Sequence, residues 1–257
     1  MRLITRPSPN FNDRRGPLDM LVLHYTGMED GPSAEARLCD PAAEVSAHYV
    51  VREDGTVVQM VSEEKRAWHA GVARWQGDED LNSRSIGIEI VNGGHDFPAP
   101  NGRLPVYPQA QIAAVISLCR AILSRHAIPE TRIVGHSDIA PGRKMDPGEH
   151  FPWLQLAAAG IGLWPLLEPA GHPKSLSGSG LGTGDTSASV RRLQEQLAGI
   201  GYDQSITGTF DDQTEAVVTA FQRRWRPDLV SGRADIGCLA MIGTVAALYE
   251  SASQSGA

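Results

Sequence analysis

Short apolar runs alternate with amphipathic segments along the first two thirds of the chain. The run DMLVLHYT is typical of a buried strand, and RSIGIEIVN alternates, with its three isoleucines on one face. Between them, SAHYVVREDGTVVQMV places two β-rich runs around Asp54-Gly55, which predicts a hairpin. Apolar residues at spacings of three and four follow Pro108 and predict a helix, and TRIVGH predicts another strand. The pattern predicts an α/β fold, a mixed central sheet flanked by helices.

The composition changes at Pro165, where a stretch rich in glycine, serine and proline begins. Such a stretch cannot bury a core and predicts a flexible linker. Beyond it, VRRLQEQLAGIGY, TGTFDDQTEAVVTAFQRRW and DIGCLAMIGTVAALY carry apolar residues three and four apart, which predicts three short helices. We therefore predict a larger domain at residues 1–167, a linker at 168–187 and a small three-helix domain at 188–252.

Composition excludes several classes of partner. The net charge is -7 without a run of five like charges, which argues against nucleic acid, because phosphate binding needs a basic surface. The sequence shows no 18-residue apolar segment, so no membrane span is expected. Cys39, Cys119 and Cys238 are odd in number and far apart, which predicts buried, reduced thiols in place of disulfides or a CxxC zinc site.

The start of the chain bears on location. MRLITRPSPNFNDRRGP is charged and lacks the apolar stretch of a secretory signal. Together with the unpaired cysteines, this favours the cytoplasm. A periplasmic location is the alternative if a signal peptide was trimmed.

Several polar residues stand at the ends of the predicted strands. His24 ends the first buried strand, on the face of the valine two residues before it, and His136 ends another. Glu89 lies inside a strand of isoleucine, glycine and valine, where an ionised carboxylate is costly without a partner. Prolines and glycines in VGHSDIAPGRKMDPG disfavour helix, and an extended segment would project Lys144 and Asp146 to one side.

Two histidines and an aspartate match a three-ligand zinc site whose fourth position holds water. Zinc lowers the pKa of that water and polarises a carbonyl. Glu89 is then a candidate proton acceptor and donor, and Lys144 a candidate stabiliser of an oxyanion. Spacing alone leaves ordinary roles open, because a strand-end histidine is commonly a core residue, an aspartate near a lysine is commonly a loop ion pair, and no compact HExxH motif is present.

Five ordered blocks resemble the type-2 N-acetylmuramoyl-L-alanine amidases, the AmpD/AmiD-like zinc amidases. They are LDMLVLHYTGM, SAHYVVREDGTVVQMV, AWHAG, LNSRSIGIEIVN and GHSDIAPGRKMDPGEHFPW. The resemblance implies the amidase and peptidoglycan-recognition type of fold, zinc held by His24, His136 and Asp146, and catalysis by Glu89 and Lys144. It implies cleavage of the amide between N-acetylmuramic acid and the L-alanine of the stem peptide, in peptidoglycan or anhydro-muropeptide fragments, during bacterial recycling or turnover.

Two alternatives of a different kind accompany this resemblance. Related recognition proteins keep the fold and lose a ligand, so a silent peptidoglycan-recognition module is one alternative. The five intact residues favour the enzyme. A peptidase that cuts within the stem would use the same metal chemistry, and the residues alone leave it open.

The matched blocks also hold candidate substrate-binding residues. These candidates are His48, Trp68, His69, Asn82 and Arg84. Trp68 and Trp75 offer flat faces to sugar or peptide, and Arg84 is a candidate partner for a stem-peptide carboxylate. Structural roles for the two histidines stay open. The remaining histidines lie off the ligand pattern and are expected to be solvated; they are His95, His126, His150 and His172.

The C-terminal segment resembles the three-helix peptidoglycan-binding domain of cell-wall hydrolases, through VRRLQEQLAGIGY, GTFDDQTEAVVTAFQ and GRADIGCLAMIG. Asp212 stands where a glycine is usual, and VSGRAD replaces a more acidic turn, so the affinity of the domain is in question more than its fold. The resemblance implies a targeting domain whose removal leaves cleavage of small muropeptides nearly unchanged. A plain helical bundle used for dimerisation is the alternative.

Overall fold

A computed structural model describes residues 2–165 and 180–255 of the chain. Its strands are β1 (Arg2–Thr5), β2 (Phe11–Asp13), β3 (Met20–Tyr25), β4 (Tyr49–Val51), β5 (Thr56–Gln59), β6 (Lys65–Ala67), β7 (Ser85–Ile90) and β8 (Ile133–Gly135). Its α-helices are α1 (Gly31–Cys39), α2 (Leu81–Arg84), α3 (Gln109–Leu123), α4 (His136–Ile139), α5 (Trp153–Ala158), α6 (Ala188–Ile200), α7 (Asp212–Trp225) and α8 (Ile236–Ser255). The predicted α/β class is confirmed.

Six strands form the main sheet in the order β1-β5-β4-β7-β3-β8. All neighbouring pairs are parallel except β4 and β5, which form the antiparallel hairpin predicted around Asp54-Gly55. Strands β2 and β6 form a separate antiparallel pair. The sheet is therefore mixed, as the sequence predicts, and its parallel strands β4, β7, β3 and β8 bring their carboxyl ends to one edge.

The two faces of the sheet carry different layers. On one face, the isoleucines of β7 pack with Leu21 and Leu23 against helix α3, which begins directly after Pro108. Buried Gln111 of α3 donates hydrogen bonds to the carbonyl oxygens of Val51 and Val91, which ties the helix to two strand ends. Met20 and Val22 point to the opposite face and belong to a second core cluster. Alternation places His24 on this second face, as predicted.

The three predicted C-terminal helices are present as α6, α7 and α8. Ser187 caps α6 by accepting a hydrogen bond from the backbone N–H of Val190, and Asp211 caps α7 by accepting one from Thr214. Of the predicted linker, residues 168–179 lie outside the described residues. The segment from residue 180 is held to the helices, because Leu181 pairs with Ala234 in an isolated β-bridge.

The three-helix unit packs on the second face of the sheet and shares its core. Met20 and Val22 of β3 lie in one cluster with Phe221 and Trp225 of α7. Trp75 joins them, with its ring centroid 5.1 Å from that of Tyr202 and its Nε1 donating to the carbonyl oxygen of Thr131. Trp75 is 1% exposed, so the prediction that it offers a face to substrate is wrong. Large apolar side chains from both parts of the chain exclude water from a common interior.

The sequence led us to expect no apolar segment long enough to span a membrane, but helix α8 contains one by length and composition. The stretch Ile236–Gln254 has a mean hydropathy of 1.4 and is long enough to cross a membrane by length and composition. The core helix of a soluble protein can have the same length and composition. One side of α8 lies in the shared core, where Cys238, Ile242 and Val245 are fully buried.

The three cysteines are free thiols, as predicted, and two of them are buried. Burial raises the pKa of Cys119 and of Cys238 to about 12, so both thiols are unreactive at neutral pH. Cys39 is the exception to the prediction of burial. It ends helix α1 at the surface and is half-buried.

Candidate metal centre

Three side chains from distant positions meet at the carboxyl edge of the sheet. His24 Nδ1 lies 2.9 Å from His136 Nδ1 and 2.9 Å from Asp146 Oδ2, and His136 Nδ1 lies 3.0 Å from the same oxygen. All three residues are buried, and together they form a group able to hold a metal ion. The sheet produces this meeting, because β3 and β8 are parallel neighbours in register from Leu21 to Leu23, and the two histidines follow directly.

His136 differs in one respect from the prediction. It is the first residue of the four-residue helix α4, although the sequence predicted a non-helical loop there. Between Gly135 and Pro141 the segment contains no proline or glycine, which leaves room for one short helical turn. Asp138 stabilises the short turn, because its Oδ2 accepts a hydrogen bond from the backbone N–H of Gly135.

The donor set suits a cation. His136 Nε2 lies 3.0 Å from the carbonyl oxygen of Ala70, which only accepts hydrogen bonds, so Nε2 carries a hydrogen. A neutral imidazole then presents a lone pair at Nδ1, and this atom faces the Asp146 carboxylate. Two nitrogens and one carboxylate oxygen are ligands that zinc accepts, and a ligand histidine commonly donates from its other nitrogen to a carbonyl. The residues therefore fit a zinc ion.

The pKa values of His24 and Asp146 are both lowered, for different reasons. Desolvation, with a contribution from nearby His136, lowers the pKa of His24 to about 4, so His24 is neutral at physiological pH. Burial alone would raise the pKa of Asp146, but interactions with His136 and His24 outweigh it and hold that pKa well below its usual range. The cluster therefore combines a neutral imidazole with a carboxylate anion.

Glu89 faces the same cluster from the neighbouring strand. It is the register partner of His24 in the pairing of β3 with β7. Desolvation, reinforced by the charge of Asp146, raises its pKa well above the usual range for a carboxyl group. Among the described residues, the buried Oε2 of Glu89 has no hydrogen-bond partner. An unpartnered acid of this kind is available to a bound water or substrate.

A cavity of about 350 Å³ opens onto these residues. Its wall includes Glu89, Lys144 and Asp146, so the structure brings the five residues of the predicted centre to one place. Of the candidate substrate-binding residues, Trp68 and His69 also line it. Its rim adds Arg37 and Arg143, which the sequence did not single out.

The other three candidate substrate-binding residues lie elsewhere. His48 is fully buried, its Nδ1 accepts a hydrogen bond from the backbone N–H of Gly87, and it does not line the cavity. Asn82 Oδ1 accepts from the backbone N–H groups of His69 and Ala70, so it holds the segment beside the cluster. Arg84 pairs with the carboxylates of Asp19 and Asp78. Each has a structural partner and none lines the cavity, so a role in substrate binding stays a prediction for these three residues.

Three of the remaining histidines, expected to be solvated, are half-buried and have internal partners. His95 contacts the Tyr25 hydroxyl and the Glu149 carboxylate, at 3.0 and 3.2 Å. His126 Nε2 lies 2.7 Å from the Glu63 carboxylate. His150 stacks on the ring of Tyr107, with centroids 4.8 Å apart. His172 lies outside the described residues.

Sequence reasoning missed three residues that support the cluster. Arg143 donates to the carbonyl oxygens of Ala70 and Val72, which holds the segment that accepts from His136. Ser85 contacts His69, and Asp138 is buried two residues after His136. Arg143 and Asp138 lie within the block that carries His136 and Asp146, which is a weak signal for a supporting role. Nothing in the sequence distinguishes Ser85.

Fold and site together define an α/β protein with a buried His-His-Asp centre in a cavity. The sequence profile of the N-acetylmuramoyl-L-alanine amidase family matches residues 14–149, and that of a putative peptidoglycan binding domain matches residues 186–242. The chain is 41% identical over 225 residues to the N-acetylmuramoyl-L-alanine amidase AmiD of Escherichia coli strain K12, covering 85% of this chain and 78% of that protein. The chain belongs to the N-acetylmuramoyl-L-alanine amidase family.

Solved structures support the assignment to this family. The complex of Escherichia coli AmiD with anhydro-N-acetylmuramic acid-L-Ala-D-gamma-Glu-L-Lys superposes with a TM-score of 0.75 at 33% identity, over 93% of this chain and 98% of that one. AmpDh3 of Pseudomonas aeruginosa also gives 0.75, at 32% identity, over 95% of this chain and 96% of that one. Both matches extend over the three-helix unit as well as the sheet.

Proposed function

We propose that this protein is a zinc-dependent amidase that hydrolyses the amide between N-acetylmuramic acid and the L-alanine of the stem peptide. The observation that carries the proposal is the meeting of His24, His136 and Asp146 at a cavity whose wall also holds Glu89 and Lys144. The substrate class follows from the relatives, since the AmiD complex holds an anhydro-muropeptide. Peptidoglycan fragments of this chemistry are the proposed substrates.

His24, His136 and Asp146 would hold the zinc ion through two nitrogens and one oxygen. When bound, zinc polarises a carbonyl group and lowers the pKa of water. Glu89 is proposed to accept a proton from the attacking water and to deliver it to the leaving amine. Burial, reinforced by the charge of Asp146, raises its pKa, which favours retention of the transferred proton until the amine leaves.

Lys144 is proposed to stabilise negative charge on the carbonyl oxygen of the scissile amide. It lines the cavity together with Asp146 and Glu89, and its positive charge acts to lower the pKa of Glu89. A fixed cation inside a partly enclosed site is effective, because little water is present to screen it. Trp68 also lines the cavity, and its ring is proposed to pack against sugar or peptide.

The products and metal dependence of the reaction test this proposal. We expect a purified anhydro-muropeptide to be split into a free peptide beginning with L-alanine and an anhydro-muramic product, both identified by mass spectrometry. A chelator should abolish cleavage and added zinc should restore it. Products cut within the stem would instead indicate a peptidase, and full turnover by protein shown metal-free by elemental analysis would refute the zinc mechanism.

We also propose that the three-helix unit binds the cell wall. The match of residues 186–242 to a putative peptidoglycan binding domain supports this role. The full chain carrying Glu89→Gln, which binds without digesting, is expected to sediment with purified sacculi. If it stays in the supernatant at the same level as an unrelated protein, the targeting role is wrong. Action in the cytoplasm, with the periplasm as the alternative, stays a prediction.

A further inference from the structure

The second nitrogen of His24 has an unusual partner. His24 Nε2 lies 3.0 Å from His69 Nδ1, and both rings are buried. A metal-binding histidine commonly donates from its free nitrogen to a carboxylate or a carbonyl, which settles where the hydrogen lies. An imidazole can donate or accept. The contact with His69 therefore leaves open whether His24 presents a lone pair or a hydrogen to the cluster.

Ser85 resolves the ambiguity at the other side of His69. The Ser85 hydroxyl donates to the carbonyl oxygen of Leu81 at 2.5 Å, which uses its single hydrogen. Ser85 Oγ also lies 3.2 Å from His69 Nε2, so it must accept a hydrogen bond from that nitrogen. A neutral His69 then has a lone pair at Nδ1 and accepts from His24 Nε2. His24 Nδ1 then carries no hydrogen, and its lone pair faces Asp146.

The surroundings hold the His69 ring in this orientation. It lies flat against the backbone of β7, where a Cβ on Gly87 would come within 2.4 Å of His69 Cγ. The backbone N–H of His69 donates a hydrogen bond to Asn82 Oδ1 at 2.9 Å. The His48 ring packs edge-on against the His69 ring, with centroids 5.7 Å apart. The glycine in the alternating strand is therefore explained by the close approach of this ring.

We propose that Leu81, Ser85 and His69 form a hydrogen-bond relay that selects the metal-binding tautomer of His24. His69 and Ser85 are then positioning residues: they act through His24 and need not touch substrate. The proposal rests on the proposed function in so far as the metal is zinc. Because supporting residues of this kind typically contribute 10–100-fold to metal affinity, the relay should determine how tightly the centre holds its ion.

Zinc affinity tests the relay directly. We expect Ser85→Ala and His69→Phe to raise the zinc dissociation constant about 10–100-fold, measured by competition with a chromophoric chelator. His126→Gln is the control, because it alters a histidine whose Nε2 contacts the Glu63 carboxylate at 2.7 Å and which lies outside the relay. Its dissociation constant should stay within about threefold of the wild-type value. Wild-type affinity in both relay variants would overturn the proposal.

The tautomers of His69 and His24 can also be measured in the wild-type protein. The proposal can therefore be tested even if the variants fail to fold. Imidazole ¹⁵N chemical shifts, recorded with and without zinc, should show the hydrogen of His69 on Nε2 in both samples. His24 should carry its hydrogen on Nε2 in the zinc-loaded protein. A hydrogen on His69 Nδ1 would refute the relay. A wild-type chain that binds no zinc would instead refute the proposed function, so the two failures are distinct.

Discussion

Replacing Glu89 with glutamine is expected to lower turnover by about 10²–10⁴-fold while zinc stays near stoichiometric. The amide keeps the size and position of the carboxyl group but cannot accept the proton of water. Glu89 is assigned to proton transfer and not to metal binding, and its Oε2 has no partner among the described residues, so little structure should be lost. Turnover and zinc content are measured on the same preparation.

Two further variants separate chemistry from metal binding. Lys144→Ala should also keep its zinc and lose about 10²–10³-fold in turnover, which is the typical cost of removing one group that stabilises an oxyanion. Asp146→Ala should behave differently, because deleting one of three protein ligands leaves two and should release the metal. Loss of zinc from Lys144→Ala, or wild-type turnover in Glu89→Gln, would contradict the proposed division of roles.

Replacing Arg224 with alanine is expected to lower the free energy of unfolding by about 3–5 kcal/mol. Arg224 of α7 and Asp138 of α4 form an ion pair at 3.0 Å, with side chains 2% and 1% exposed. The same carboxylate accepts from the Tyr202 hydroxyl at 2.8 Å. Removing the guanidinium leaves a buried charge without its countercharge, and also removes the cation that lies 4.2 Å above the Trp153 ring. Urea denaturation measures the loss.

Asp203→Ala is the matched control for this prediction. Its partner Arg74 lies 3.9 Å away across the same boundary between the sheet and the helices, but both side chains are about half exposed. Water screens such a pair, so the loss should stay below about 1 kcal/mol. Equal losses in the two variants would contradict the argument from burial. Two separate unfolding transitions in the wild-type chain would contradict a core shared by both parts.

The buried pair also changes the interpretation of the C-terminal helices. The sequence predicted a targeting domain on a flexible linker, removable without effect on cleavage of small fragments. In the structure Asp138 lies two residues after His136, on the same short helix. Its carboxylate forms an ion pair with Arg224 of α7. Removing the helices would expose the apolar core that Met20 and Val22 share with α7. We therefore expect truncation to impair the metal centre.

Much of the fold and of the centre could be predicted from the sequence. A short apolar run identified β3 and an alternating pattern identified β7. His24 could be placed on the correct face, because side-chain direction along a strand follows from local geometry alone. The hairpin at Asp54-Gly55 is likewise a local feature. The candidate ligands could be named because they stand at strand ends and within family-like blocks.

Tertiary structure decided which polar residues face the cavity and which support it. Periodicity assigns a side chain to a face but not to a neighbour, so it could not show that His48 and Arg84 have internal partners. In the proposed relay, Ser85 acts through His69 to determine which ring nitrogen of His24 carries the hydrogen. The Asp138 carboxylate is neutralised by Arg224, which is 86 residues away in sequence. Such contacts form only when distant segments pack together and exclude water, because the cost of burying an unpaired polar group arises only there.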